Sequence, residues 1–118
     1  MNRPGQIELN EFELAILERI ADKIPSLRSS LGRLHVLSRE FTGVGSYTKF
    51  RCEDAAGSTA DKPVGLDDLI DMPNVPNGMG AVLFFQGGQP KCLETYTFGG
   101  QLWDGVYEGF AIPSSQRN

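Results

Sequence analysis

Apolar and polar positions recur with helical spacing near the start of the chain. From Phe12 to Ile24 an apolar residue returns every three or four positions, and charged residues fill the opposite face. Asn10 and Glu13 form a capping-box pair at the start of this helix. Pro25 ends it, because the residue before a proline is pushed out of the helical region. The same proline favours the start of a second short helix over residues 25–31.

The strongest β signal lies between Gly80 and Phe98, in the run GAVLFFQGGQPKCLETYTF. Ala81–Phe85 is apolar without interruption, which predicts a strand that is covered on both faces. Gly87 and Gly88 supply the positive φ angles that a tight hairpin turn needs. The residues that follow predict a second strand, so this run predicts the centre of a β-sheet.

Weaker signals predict further strands on either side of this hairpin. Residues 33–42 and 47–52 precede it, and residues 106–112 follow it as a last edge strand. Residues 64–72 fit either an irregular strand or one helical turn. Small polar residues at 53–63 predict a mobile surface loop.

Helices followed by strands indicate an α+β fold. We expect an N-terminal helix and a short second helix packed on a four- to five-stranded sheet. The sheet should be mainly antiparallel, since most connections are too short for parallel crossovers. The length of 118 residues predicts a single domain, 1–118, with flexible ends at 1–8 and 114–118.

The charge balance narrows the classes of partner. The chain has 15 Asp and Glu against 11 Lys and Arg, and residues 53–118 hold nine of the acids and three of the bases. Non-specific phosphate binding needs clustered Lys and Arg, so no nucleic-acid partner is expected. No apolar run approaches the about 18 residues of a membrane span, and no signal-peptide core begins the chain. We therefore expect a cytoplasmic protein with no membrane partner.

Four side chains are the first candidates for a small-molecule pocket between helix and sheet: His35, Cys52, Glu94 and Tyr96. His35 is the only histidine, so any Ser-His or Cys-His arrangement would have to use it. Glu94 interrupts an apolar strand, a position that would suit a carboxylate with general acid or base chemistry. These residues define the alternative in which the chain is an enzyme or a ligand-binding protein.

Structural roles account for the same residues without chemistry. Glu94 fits an outward-facing position, or an ion pair with Arg39 or Arg51 on a neighbouring strand. Cys52 and Cys92 are too few for a disulfide framework and are expected as buried thiols. No CxxC or HxxxH cluster accompanies the histidine, so neither a metal nor a cofactor is predicted. This interpretation favours a protein that is not an enzyme.

Aromatic residues gather in the C-terminal third, and residues 92–116 contain no Lys or Arg. Stacking on nucleic-acid bases would need basic residues among them, which leaves core packing or a protein interface. Trp103, Tyr107 and Phe110 are the residues predicted for an exposed interaction surface. Pairing of an edge strand at residues 107–112 would provide the contact of a homodimer.

Three sequence motifs of this chain occur together in one group of proteins. They are LNEFELAILERI at 9–20, LSREFTGVGSYTKF at 37–50 and CLETYTF at 92–98. The chain resembles a group of small bacterial proteins of uncharacterised function that share an N-terminal helix, a SRExTGVGxxTxF segment and a late LExYT(Y/F) strand. The resemblance covers residues 9–103. It implies a bacterial, cytoplasmic protein of this fold, and it implies no activity and no site residues.

The favoured interpretation is a small protein-interaction module without catalysis, which binds another protein or a second copy of itself. The acidic surplus suits either a solvated surface or a patch that faces a basic partner. One form of the hypothesis is an immunity-type protein that blocks a basic toxin. The alternative is a small-molecule-binding protein or enzyme with a pocket between helix and sheet.

Overall fold

Two α-helices and six strands form in residues 8–52 and 61–113, which the computed structural model describes. The helices are α1 (Glu11–Ala21) and α2 (Pro25–Arg28), and the strands are β1 (Leu34–Phe41), β2 (Gly45–Cys52), β3 (Val64–Gly65), β4 (Ile70–Met72), β5 (Val75–Gln86) and β6 (Gln89–Thr97). The predicted flexible C-terminal end at 114–118 lies outside these residues, as do residues 1–7 of the predicted flexible end at 1–8 and residues 53–60 of the predicted mobile loop at 53–63. No helix of the described part is long and apolar enough to cross a membrane.

Helix α1 begins where the sequence predicts. The side chain of Asn10 accepts a hydrogen bond from the Glu13 amide (2.7 Å), and the Asn10 amide donates to the Glu13 carboxylate (3.0 Å). This reciprocal pair satisfies two donors that a helix start otherwise leaves without partners. The helix ends at Ala21, before the predicted end at Ile24, and Pro25 begins α2 as expected.

The strands form one antiparallel sheet in the order β1-β2-β6-β5, and β3 and β4 both pair with β5 at its free edge. The long hairpin β5–β6 turns at Gly87 and Gly88, whose φ angles of 64° and 79° confirm the predicted turn. The α+β class, with an N-terminal helix and a short second helix on a mainly antiparallel sheet, is confirmed. The sheet has six strands rather than four or five because residues 64–72 form two very short strands.

The inner face of the sheet packs against α1 and holds the core. Side chains alternate along each strand, so Phe50 of β2, Leu83 of β5 and Leu93 of β6 all lie on this face and are fully buried. They meet the apolar side of α1 in one hydrophobic cluster. Burial of this kind is the main favourable term in folding.

The outer face of the sheet carries no buried side chain among the described residues. Val82 and Phe84 of β5 lie on this face and are only half-buried, and Tyr47 of β2 is exposed. The prediction that the run Ala81–Phe85 is covered on both faces is therefore wrong. The helices of the described part all lie on one side, so the second face stays open.

The segment predicted as a last edge strand, 106–112, is not a strand. Its only ladder contact in the described structure is a bridge between Asp71 and Ala111. Gly105 and Gly109 have φ angles of 80° and 83°, in the left-handed region, which interrupts an extended strand. The segment instead crosses over α1 and covers its N-terminal end.

Basic residues of α1 hold the neighbouring loops in place. Arg19 forms an ion pair with Asp68 (2.6 Å) and donates to the carbonyl oxygens of Ile112 and Pro113. Lys23, just beyond the end of the helix, forms an ion pair with Asp67 (3.1 Å). The C-terminal segment and the loop before β4 are thus both attached to the polar side of the helix.

Candidate functional site

A charged carboxylate lies in the interior between α1 and the sheet. Glu13 is 1% exposed. Its two oxygens accept hydrogen bonds from the Arg39 guanidinium at 2.6 Å each, and one of them also accepts from the Thr48 hydroxyl at 2.6 Å. The Asn10 amide provides a fourth bond. The carboxylate is therefore fully partnered, as a buried charge must be.

Arg39 is the centre of this arrangement. Besides Glu13, it donates to the backbone carbonyl of Glu8 (2.8 Å), and its guanidinium carbon lies 6.0 Å from the ring centroid of Tyr107. The hydrogen bonds with Glu13 raise the pKa of Arg39. Burial raises the pKa of Tyr107, and a hydrogen bond with the Ser46 hydroxyl lowers it in part. The cluster joins α1, β1, β2 and the C-terminal segment.

This buried cluster has the properties of a structural anchor. Every oxygen of Glu13 is already used by groups of the protein itself, and the ring of Tyr107 covers the guanidinium. The arrangement connects α1 to β1 and β2 through side-chain hydrogen bonds.

The structure does not bring the four predicted pocket residues together. Glu94 and Tyr96 lie on the outer face of the sheet, away from α1, and Glu94 accepts a hydrogen bond from the Tyr47 hydroxyl at 3.1 Å. His35 lies near the start of β1, opposite Arg51, with β2 between it and β6. Cys52 ends β2 on the side of the core. These side chains have no shared cavity between helix and sheet.

Glu94 occupies an outward-facing position, which is one of the structural roles predicted for it. The other role, an ion pair with Arg39, is not formed, because Arg39 lies on the inner face and pairs with Glu13. The expectation that both thiols are buried is wrong. Cys92 is half-buried on the outer face, whereas Cys52 packs against the core, so the two thiols lie on opposite sides of the sheet. Burial raises the pKa of Cys92. The described residues contain no group of three or more His, Cys, Asp or Glu placed to hold a metal ion.

The predicted aromatic surface is mostly interior. Trp103 is 3% exposed, and its ring packs at 6.1 Å from Phe12 and 5.1 Å from Tyr107. Phe110 packs edge-on against Phe12 at 5.3 Å. The expectation of an exposed Trp103 is wrong, because the segment that carries it folds over the apolar N-terminal end of α1. Tyr107 and Phe110 are half-buried at the same place.

A different apolar surface is exposed above this aromatic cluster. Four large side chains lie at the end of the sheet where the β1–β2 turn meets residues 102–106, and we call them the turn patch. Their exposed fractions are 50% for Phe41, 36% for Val44, 80% for Leu102 and 50% for Val106.

Local contacts support the turn patch at two points. The backbone amide of Trp103 donates a hydrogen bond to the carbonyl of Gly43 (3.0 Å). This bond joins the backbone next to Leu102 to the backbone next to Val44. The Phe41 ring packs on Trp103 at 5.7 Å and lies against Gly105. The indole Nε1 of Trp103 is buried beneath and has no hydrogen-bond partner among the described residues. Exposed apolar side chains gathered in this way mark interaction sites.

The rim of the turn patch is acidic. Glu40 precedes Phe41, and Asp104 lies between Leu102 and Val106. Both acidic side chains are exposed. No Lys or Arg occurs in residues 40–48 or 92–113. A partner that covers these apolar side chains would therefore bring its own basic residues next to carboxylates.

A recess opens beside the start of α1. It has a volume of about 950 Å³ and is lined by residues 9–12 and 106–110. Glu11, Tyr107 and Glu108 are among the residues that line it. None of the four residues predicted for a pocket lines it, and it lies at the end of the helix rather than between helix and sheet.

Comparison with protein-family models, with curated proteins and with solved structures finds no match to this chain.

Sequence reasoning missed both the buried ion pair and the turn patch, although one signal was present. The apolar residues of β1 do not keep one alternation along the strand. Leu34 and Val36 are two positions apart, but Phe41 is five positions after Val36 and would lie on the other face of a regular strand. The structure has a bulge where the alternation changes, between Val36 and Ser38. The bulge turns Arg39 from the outer to the inner face, where it reaches Glu13.

Proposed function

We propose that this chain is a protein-interaction module without catalytic activity, and that it binds a partner protein through the turn patch. The observation that carries the proposal is the exposure of Leu102, Val106 and Phe41 at one end of the sheet, where the Phe41 ring packs on the buried Trp103. Large apolar anchors at the centre of a patch provide most of the binding energy in protein interfaces. The proposal includes a bacterial, cytoplasmic setting.

The partner that fits is a protein with a basic surface around an apolar pocket. The rim carboxylates of Glu40 and Asp104 would meet its Lys or Arg residues, and opposite charges speed association and fix orientation. A basic toxin that an immunity-type protein neutralises is one partner of this kind. The genes next to this one would identify such a toxin.

The test uses a photo-crosslinking residue placed at position 102 of the full chain, in a bacterial host lysate. We expect it to capture a basic protein, which is then purified and measured against the wild-type chain. Leu102→Asp should raise the dissociation constant at least about tenfold, because a charge replaces an apolar anchor. Asp104→Lys should also weaken binding, since it reverses the charge of the rim.

The matched control is Leu69→Asp. Leu69 is also large, apolar and 45% exposed, but it lies between β3 and β4 at the opposite edge of the sheet. Its substitution should leave the affinity unchanged. Equal affinities of the two aspartate variants would show that the turn patch is not the binding surface.

A ligand-binding role at the recess beside α1 ranks second. Its volume of about 950 Å³ lies at the upper end of the range of small-molecule sites. A compound that raises the melting temperature of the wild-type chain, and that loses this effect in Tyr107→Phe and Glu108→Gln, would favour it over the interaction module.

A further inference from the structure

The outer face of the sheet is an uncovered surface with a regular pattern of charge. Two rows of side chains cross it from β5 to β1, at right angles to the strands. The first row contains Val82, Glu94, Tyr47 and Glu40, and the second contains Phe84, Cys92, Lys49 and Ser38.

The two rows begin alike on β5 but carry opposite charge, on different strands. Each row begins on β5 with an apolar side chain, Val82 or Phe84. The first row then carries carboxylates, and the second carries the ammonium group of Lys49. In the part of the chain that the structure describes, no ion pair joins Lys49 or Glu94 to an opposite charge.

A two-fold rotation makes this surface complementary to itself. The axis runs parallel to the sheet and perpendicular to the strands, between the two rows. Rotation about it places each strand opposite the same strand of the second copy, with the reverse direction. It places Val82 on Phe84 of the partner subunit, and Glu94 beside Lys49 of the partner subunit. Because the contact is isologous, each of these pairs occurs twice.

We propose that two copies of this chain associate through the outer face of the sheet, about a two-fold axis that runs between the Glu94 row and the Lys49 row. The proposal does not rest on the function of the turn patch, although Glu40 belongs both to the first row and to the rim of that patch.

The area of the face is close to the lower limit for a specific interface. Four of its strands have eight or more residues. With about 4.8 Å between strands and about 3.3 Å per residue, its flat footprint is about 500 Å². This is of the same order as the about 800 Å² that each partner contributes to a standard interface. Packing of two sheets face to face with nearly aligned strands is an established arrangement.

The experiment measures mass by sedimentation velocity over a concentration series of the full chain. The wild-type chain should form a species of twice its 12.9 kDa. Glu94→Lys places lysine at both position 94 and position 49, and Lys49→Glu places glutamate at both. Each variant should weaken the dimer at least about tenfold, because like charges then face each other.

Mixing the two variants is the decisive step. The Glu94→Lys chain carries lysine at both positions of the contact, and the Lys49→Glu chain carries glutamate at both. In an equimolar mixture, each contact between unlike chains therefore joins a lysine of one chain to a glutamate of the other. We expect a one-to-one heterodimer that neither variant forms with itself. If a substitution abolished the dimer by damaging its own subunit, mixing the two variants would not restore dimer formation.

Circular dichroism and urea unfolding verify that both variants fold. If either does not, the double variant Val82→Ser, Phe84→Ser removes the apolar contact instead and should also be monomeric. Leu102→Asp should retain the dimer, which separates a failure of this inference from a failure of the turn-patch proposal. A monomeric wild-type chain overturns the inference, and so does a dimer that both charge variants retain.

Discussion

Gly45 and Thr95 lie so close together that the carbonyl oxygen of Thr95 occupies the space of a β-carbon at position 45. The two residues belong to the paired strands β2 and β6, and the obstacle is backbone, which no rotamer change can move. Glycine at position 45 is therefore required by this strand pairing.

Replacing Gly45 with alanine should cost about 3 kcal/mol or more of unfolding free energy, because β2 and β6 must separate to admit the methyl group. Urea unfolding followed by the fluorescence of Trp103, the single tryptophan, measures the change. Gly32→Ala is the control, since nothing lies within 4 Å of its added β-carbon. Its stability should stay within about 1 kcal/mol of wild type. Equal costs for the two variants would contradict the close approach.

Removing one member of the buried ion pair should be more costly than removing both. Glu13→Leu leaves the Arg39 guanidinium and the Thr48 hydroxyl without their acceptor, which should cost about 3–5 kcal/mol. The double variant Glu13→Leu, Arg39→Met buries no unpaired charge. We expect it to be more stable than the sum of the single changes predicts, in a double-mutant cycle measured by urea unfolding. Simple additivity would show that the two groups do not interact.

The stability of the wild-type chain should fall in alkali because of Tyr107. Burial raises the pKa of Tyr107 in the folded state, so above about pH 10 the unfolded chain loses the phenol proton first. The stabilisation is complete below that pH and is lost as the pH rises through the raised pKa. Tyr107→Phe does not titrate, so the wild-type advantage over it should shrink between about pH 8 and about pH 11 in paired urea titrations. An advantage that does not change with pH would contradict this assignment.

The thiol of Cys92 should react slowly while the protein is folded. Burial raises its pKa, which lowers the fraction of the reactive thiolate near neutral pH. Site-resolved mass spectrometry after treatment with iodoacetamide should show less labelling of Cys92 in the native chain than in the urea-unfolded chain. Oxidation should give no intrachain disulfide, because Cys52 lies on the other side of the sheet. Equal labelling of Cys92 in the native and the unfolded chain would contradict the protection of this thiol by burial.

The sequence by itself determined the elements whose causes are local. The capping pair of Asn10 and Glu13, the helical spacing that follows and the turn at Gly87 and Gly88 act over a few residues, so they were predictable. The order of helices and strands along the chain then indicated the α+β class, because short connections leave few ways to arrange them.

The tertiary structure alone decided which side chains meet. The bulge at Leu37 turns Arg39 inward, toward a carboxylate 26 positions earlier, and the folding of residues 101–110 over α1 buries Trp103 and exposes Leu102. One residue of register exchanges the two faces of a strand, and the spacing of nearby residues does not encode contacts between distant ones. For the same physical reason, the local pattern predicted a strand covered on both faces, whereas the packing of both helices on one side left the outer face open.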